Sequence, residues 1–314
     1  MQPGLTTWAE HRKGVYLQDN LSKETVQVGL FDESLPGTEN RMVAMESGFL
    51  SLGVPALQRC MVTECDWITI DEIGYLEAQC EVYQDALRQL LETKQVNAVV
   101  RKQAMPFLQE LCSREDAFVV DLDHPYGSIG CVIMASGLGK RFGGNKLMAD
   151  FRGEPMICKI LDVTEELTPH RVVVTRHKDV AKLCEARGIQ AVLHDLPHRS
   201  DTVRLGLEAV GDVERCMFAT ADQPLLRKET ISALALAAQN EPREIWRAAY
   251  GEMLGSPVVF PKWTFSELMN LPQGKGGGVI IKTYPERLRL VNVRDMFELK
   301  DIDSPEDLSE LLER

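Results

Sequence analysis

The stretch Cys131-Val132-Ile133-Met134-Ala135-Ser136-Gly137-Leu138-Gly139-Lys140-Arg141-Phe142-Gly143-Gly144-Asn145-Lys146 decides how this chain is read. An apolar run of the buried-strand type passes directly into a glycine-rich loop that carries three cations. Glycines let backbone N–H groups approach an anion closely, and the cations add charge at the same place, so the stretch reads as a cradle for phosphate, as in a nucleoside triphosphate. It is neither a Walker A loop, whose G-x-x-x-x-G-K-[ST] pattern occurs nowhere in the chain, nor a G-x-G-x-x-G dinucleotide fingerprint.

Outward from this loop the chain alternates. Strand-like runs at 130–135, 171–176, 189–194 and 215–221 are separated by segments of helical period near 156–166, 177–187, 200–210 and 228–239. That is the pattern of a doubly wound, mostly parallel sheet. Val172-Val173-Val174-Thr175 is β-branched throughout, as suits a strand covered on both faces. Ligands of such sheets bind outside the carboxyl ends of the strands, where both the Gly137 loop and Asp222 fall. A carboxylate at the end of an apolar strand is costly unless it is hydrogen-bonded or binds a metal. Mg²⁺ sites combine one or two carboxylates with substrate phosphates, so Asp222 is the candidate metal ligand.

The chain has 314 residues, 44% of them apolar, which is enough for two cores. The turn-rich stretch Asp121–Ser128 marks the expected boundary, giving domains of 1–124 and 128–314. A net charge of −12 opposes a general nucleic-acid or membrane-surface role, so local cations must bind any anion. No apolar run reaches eighteen residues and no leader pattern opens the chain, so a cytoplasmic location is expected. The eight cysteines show no C-x-x-C pair and no zinc spacing; they read as reduced, buried small hydrophobes. His177 and His194 read as ordinary helix-cap or surface positions.

Met134-Ala135-Ser136-Gly137-x-x-x-Arg141-Phe142-Gly143-Gly144-x-Lys146-Leu147 resembles the signature loop of the MobA-like nucleotidyltransferases. Ala221-Asp222-Gln223-Pro224 resembles that family's metal motif, Gly255-Ser256-Pro257 its later G-x-P turn, and Asp301-Ile302-Asp303-Ser304-Pro305-Glu306-Asp307-Leu308 its C-terminal motif. The resemblance implies a Rossmann-like fold of the nucleotide-diphospho-sugar transferase type. It also implies catalytic roles for Arg141, Lys146 and Asp222, with Lys146 on the α-phosphate. The expected nucleotide contacts are Ala135, Ser136, Gly137, Gly139, Arg141, Lys146, Ser200 and Gln223. Ser200 and Thr202 both suit a helix start, and Ser200 reads foremost as a plain N-cap. Ser304, Pro305 and the acids after them likewise make a helix start, so this segment reads as structural, with Asp301 and Asp303 as less favoured metal candidates. One departure stands out: Gly274-Lys275-Gly276-Gly277-Gly278 puts a lysine where the family often has a second metal-binding carboxylate.

In the first half, Ile68-Thr69-Ile70-Asp71-Glu72-Ile73-Gly74-Tyr75-Leu76-Glu77 resembles the Walker B segment of the THEP-type nucleoside-triphosphatases, and the likeness extends over roughly residues 14–122. There Asp71 would bind Mg²⁺ and Glu72 would position the attacking water. This sequence holds no P-loop to complete them, so a truncated P-loop-NTPase-like α/β scaffold without NTPase activity is expected. Together the resemblances imply Mg²⁺-dependent transfer of a nucleotidyl group, CMP from CTP, to the terminal phosphate of molybdopterin, with an apo molybdenum hydroxylase as a further partner. Asp222-Gln223-Pro224 and Ala135-Ser136 are the residues behind CTP. Two alternatives stay open: a sugar- or polyol-phosphate nucleotidyltransferase, and a non-catalytic subunit that holds the cofactor for an apo-hydroxylase.

Overall fold

The structure, a computed structural model, describes residues 2–35, 41–167 and 170–313. The chain divides into two units, Met1–Ala117 and Phe118–Arg314, a few residues ahead of the turn-rich stretch.

Among the described residues the first unit holds six strands: β1 (Gly4–Glu10), β2 (Gly14–Asp19), β3 (Thr25–Phe31), β4 (Met42–Ala44), β5 (Ile68–Ile73) and β6 (Val96–Val100). They lie in the order β4-β3-β2-β1-β5-β6. The first four form an antiparallel meander, and only the β1–β5 and β5–β6 pairs are parallel. Short turns allow the meander, whereas β5 needs the helical segment before it to return in parallel. The helices Val54–Val62 and Glu81–Thr93 place Leu57, Tyr83, Leu87 and Leu90 against Leu17, Val28, Ile68 and Ile70 to make this unit's core.

The second unit holds seven strands: β7 (Ile129–Ala135), β8 (Arg171–Thr175), β9 (Gln190–Leu193), β10 (Arg215–Thr220), β11 (Ile245–Tyr250), β12 (Met253–Pro261) and β13 (Leu288–Asn292). Their order is β13-β11-β12-β10-β7-β8-β9, and β12 alone runs against its neighbours. Side chains alternate across a strand, and here both sets are buried. Cys131, Ile133, Val173, Met217 and Ala219 face one core with the helices Ile157–Val163, Lys178–Ala186, Lys228–Asn240 and Pro305–Leu312. Val132, Val172, Val174, Cys216 and Phe218 face another with the helix Arg199–Val210. Gly206 lets that helix seat directly on β7, since a Cβ there would lie 2.4 Å from a methyl of Val132.

The four strands and four helices expected between 130 and 239 all form, with ends shifted by a few residues at most. Gly255-Ser256-Pro257, expected as a turn, lies instead within β12, with a cis bond before Pro257. Six of the eight cysteines are buried, but Cys65 is half-buried and Cys112 is exposed, so the expectation of uniform burial is corrected there. Among the described residues no helix is long and apolar enough to cross a membrane.

Candidate functional site

From β7 the chain proceeds to β8 and β9 on one side, then returns to β10 on the other. The order therefore reverses between β7 and β10, and a crevice opens at their carboxyl ends. A cleft of about 520 Å³ occupies it, lined by the loop Ser136–Arg141, Lys146, Arg176, Thr202, Asp222 and Asp303 among others.

The loop leaves β7 through Ser136 and turns on Gly139, whose φ of +57° favours glycine. A Cβ at Gly139 would also meet the carbonyl of Gly144 at 2.1 Å, so the turn closes only with glycine. Its carbonyl accepts from the N–H groups of Phe142 and Gly143, both at 3.0 Å. Asn145 then caps a short 3-10 turn, accepting from Leu147 N, and this turn carries Lys146 inward.

Lys146 is buried, not a surface lysine, with 7% of its area exposed. Its Nζ donates to Asp222 Oδ2 at 2.8 Å, to the Ile302 carbonyl at 2.6 Å and to Asp303 Oδ1 at 3.0 Å. Burial by itself would lower its pKa, but Asp222 and then Asp303 more than offset that and hold it above the usual lysine value. Arg141, largely exposed, donates to the other oxygen of Asp303 at 2.6 Å. Asp301 lines the cleft and is exposed by surface area, although protein atoms crowd around its carboxyl. This crowding, followed by the charge of Asp222, pushes its carboxyl up to about 6, with Lys146 partly offsetting. Ser304 does start a helix, accepting from Asp307 N, as expected. The strap leading into it is structural as expected, and it also brings the less favoured candidates Asp301 and Asp303 to the cleft, tied to Asp222 O through Ile302 N at 2.9 Å.

Asp222 Oδ1 is buried and has no partner, which is expensive for a carboxylate oxygen. An orphaned hard carboxylate oxygen at the mouth of a phosphate loop fits one ligand of Mg²⁺. Among the described residues no cluster of three or more acidic, His or Cys side chains could hold a metal by itself, so phosphate oxygens would have to complete the shell.

The remaining expected residues separate. Ser136, Gly137 and Gly139 line the cleft, whereas Ala135 is buried behind it, its carbonyl accepting from Thr175 Oγ1 at 3.0 Å. Ser200 is not the N-cap: His198 is, with Asp201 accepting from its N–H at 3.0 Å, and Thr202 rather than Ser200 lines the cleft. Gln223 lies under a second cavity of about 500 Å³ that adjoins the cleft across Thr220 and Asp301. Lys275 lines this second cavity too, together with Arg199, Arg247 and Lys282. Among the described residues neither Arg199 nor Arg247 has a carboxylate partner. Burial, and then the charge of Arg199, hold the Arg247 pKa below the usual guanidinium range. Arg247 Nε donates to the Gly255 carbonyl at 2.8 Å, and with no carboxylate to neutralise them the two guanidiniums suit an anion.

His177 is the N-cap of the helix Lys178–Ala186, as expected, and both histidines also reach back to the glycine loop. His177 Nε2 lies 2.8 Å from the Gly137 carbonyl, and His194 Nε2 lies 2.8 Å from Ser136 Oγ. Only their position just past β8 and β9, at the carboxyl edge, could have signalled this. In the first unit, Glu72 is ion-paired with Arg101 at 2.5 Å, and Asp71 is exposed.

Residues 15–125 match the family model of the NTPases. A 3-deoxy-manno-octulosonate cytidylyltransferase from Neisseria meningitidis is 33% identical over 96 residues, a match that spans 29% of this chain and only 38% of the relative. The crystal structure of Rv0371c from Mycobacterium tuberculosis shares the fold at 22% identity and a TM-score of 0.52, covering 60% of this chain and all of that one. CMP:2-keto-3-deoxy-manno-octonic acid synthetase, solved with CTP, does so at 13% identity and a TM-score of 0.51, covering 60% of this chain and 98% of that one. The family model described as the MobA-like NTP transferase domain matches residues 131–289, laid over the loop and strands that build the cleft. Because that match takes in half of the chain, the protein belongs to the MobA-like NTP transferase family.

Proposed function

We propose that the chain transfers a nucleotidyl group, CMP from CTP, to the terminal phosphate of a molybdopterin-type acceptor and releases pyrophosphate. The observation that carries this reading is the buried Lys146 held between Asp222 and Asp303 beneath a glycine loop, with the unpaired oxygen of Asp222 beside it. The loop N–H groups and Arg141 hold the triphosphate, and Lys146 lies where charge develops at the α-phosphorus. Asp222, with Asp301 and Asp303 beside it, would hold Mg²⁺, which supplies charge neutralisation of the phosphates and of the departing pyrophosphate. An oxygen of the acceptor phosphate attacks the α-phosphorus, the bond to the bridging oxygen of the β-phosphate breaks, and that oxygen leaves with pyrophosphate.

The acceptor is placed in the second cavity. Arg199 and Arg247 face its anionic end, while Phe260, Leu268 and Val279 give it an apolar wall suited to a ring system. Arg199 and Thr220 line both spaces, so an acceptor anion there would lie next to the nucleotide, in line with the requirement for close approach. CTP is favoured by the match to the Neisseria cytidylyltransferase. The same match favours a second reading, in which a sugar acid takes the acceptor place. The first unit is read as a scaffold without NTPase chemistry, because the Glu72 carboxylate is committed to Arg101.

Pyrophosphate release measured with Mg²⁺, with CTP, GTP or ATP, and with molybdopterin or a sugar acid as acceptor tests the reading. CTP-selective release with molybdopterin, abolished in Asp222→Ala and Lys146→Ala, is the expected result. Release only with the sugar acid would select the second reading. Bound molybdopterin with no release from any nucleotide would point to a cofactor-holding subunit.

A further inference from the structure

The glycine loop is tied from behind, by residues that stay outside the cleft. Thr175 Oγ1 donates to the Ala135 carbonyl, His194 bonds to Ser136 Oγ, and His177 bonds to the Gly137 carbonyl, so three consecutive loop residues are each held by the ends of β8 and β9. Farther along, Asn145 Nδ2 donates to both carboxylate oxygens of Asp179 at 2.9 and 3.0 Å.

Proton placement follows from the acceptors. The Val174 carbonyl only accepts, so at 3.1 Å it takes the Ser136 hydroxyl proton. The Ser136 oxygen must then accept from His194 Nε2–H. His194 Nδ1 is buried and has no partner, so the neutral imidazole protonated at Nε2 is the form that satisfies the site. The Gly137 carbonyl likewise requires Nε2–H from His177. In a trans peptide the carbonyl and the following N–H point opposite ways. A Gly137 carbonyl held by a histidine outside the cleft therefore turns the Leu138 N–H away from that histidine, and Leu138 itself lines the cleft.

We propose that His177 and His194 are positioning residues of the nucleotide site: they grip the carbonyl and hydroxyl side of the Ser136–Leu138 turn so that its N–H side stays presented to a triphosphate. This rests on the reading of the cleft as the nucleotide site. Neither histidine touches the nucleotide, and the contribution of each is the order it imposes on a glycine-rich segment that would otherwise sample many conformations.

Calorimetric titration of the full chain with CTP and Mg²⁺ tests this, using His177→Ala, His177→Gln, His194→Ala and His194→Gln. Each alanine variant should bind about tenfold more weakly, the worth of one net hydrogen bond to a presented loop. Each glutamine variant keeps an N–H donor of similar reach and should stay within about threefold of the parent. In turnover the alanine variants should raise KM for the nucleotide and leave kcat within about threefold. Alanine variants that bind CTP as the parent does would overturn the proposal, as would glutamine variants no better than alanine while thermal unfolding shows both intact. A parent chain that binds neither CTP nor GTP would overturn the reading of the cleft itself, and this proposal with it.

Discussion

Replacing Lys146 by methionine keeps the length of the side chain and removes the charge that lies among Asp222, Asp301 and Asp303. Removing one partner of a buried ion pair costs about 3–5 kcal/mol. The side chains of Asp222 and Asp303 are 21% and 39% exposed, so water screens part of this and about 2–3 kcal/mol is expected. For a unit of this size that corresponds to a melting temperature roughly 5–10 °C lower. The sign of the pH dependence is fixed by the carboxylates. Asp301, already at about 6 against an ordinary 3.8, rises further without Lys146, so the folded state binds more protons than the unfolded one up to a higher pH. The deficit of Lys146→Met should accordingly be largest near pH 8 and shrink toward pH 5, measured by thermal unfolding in EDTA. Asp222→Asn added to Lys146→Met should restore part of the stability and none of the activity, since kcat falls by about 10²–10³ when a charge-stabilising donor is lost. A deficit independent of pH, or a double variant no more stable than the single one, would refute the account of Lys146 as the cation that holds these carboxylates together.

Glu77 is 3% exposed, and burial pushes its carboxyl up to about 7, the N–H of Gly74 only partly offsetting. The folded first unit therefore binds the extra proton between about pH 4.5 and 7, and its stability should decline by on the order of 3 kcal/mol across that window and stay flat above it. Glu77→Gln should remove the slope, read by hydrogen exchange of peptides from residues 1–117. The His194 imidazole is held below its ordinary range by burial and then by Arg176, with Asp201 and Asp195 opposing. Loop order is thus present above about pH 6.5 and lost as pH falls below it, so CTP affinity should drop between pH 7 and 5.5 in the parent by more than in His194→Gln. Arg247→Ala should raise KM for the acceptor about 10- to 100-fold and leave CTP binding unchanged, as steady-state kinetics with each substrate varied will read.

The parallel half of the second unit was legible because its strands are short, apolar and β-branched and its helices keep a clean period. Val172-Val173-Val174 permits almost nothing else. Asp222 was legible because it sits just past such a strand, and Lys146 because it closes the glycine loop that follows one. The N-terminal meander was not, because Thr25-Val26-Gln27-Val28 and its neighbours mix polar residues onto an open sheet face and lack an apolar run. Asp301 and Asp303 were hidden by a good helix cap, since the residues that start the last helix also account for local acidity. Gly255-Ser256-Pro257 carries turn residues within a strand and falls at the irregularity of the β11–β12 register, so the ladder bends around residues whose local preference is for a turn. The histidines escaped because their partners are backbone and hydroxyl groups 40 and 58 residues away, which no local pattern records.

The single antiparallel strand of the second unit, β12, has an evolutionary consequence. Everything that surrounds the glycine loop up to Asp222 comes from one uninterrupted stretch of chain, whereas Arg247, the β11–β12 hairpin and the Lys275 loop come from a later one. The two stretches meet chiefly along β10, and a common C-terminal strap closes over both. A hairpin that adds itself to the edge of a finished parallel core is a cassette: recombination or drift within it can reshape one cavity while the phosphate-holding machinery next door is inherited untouched.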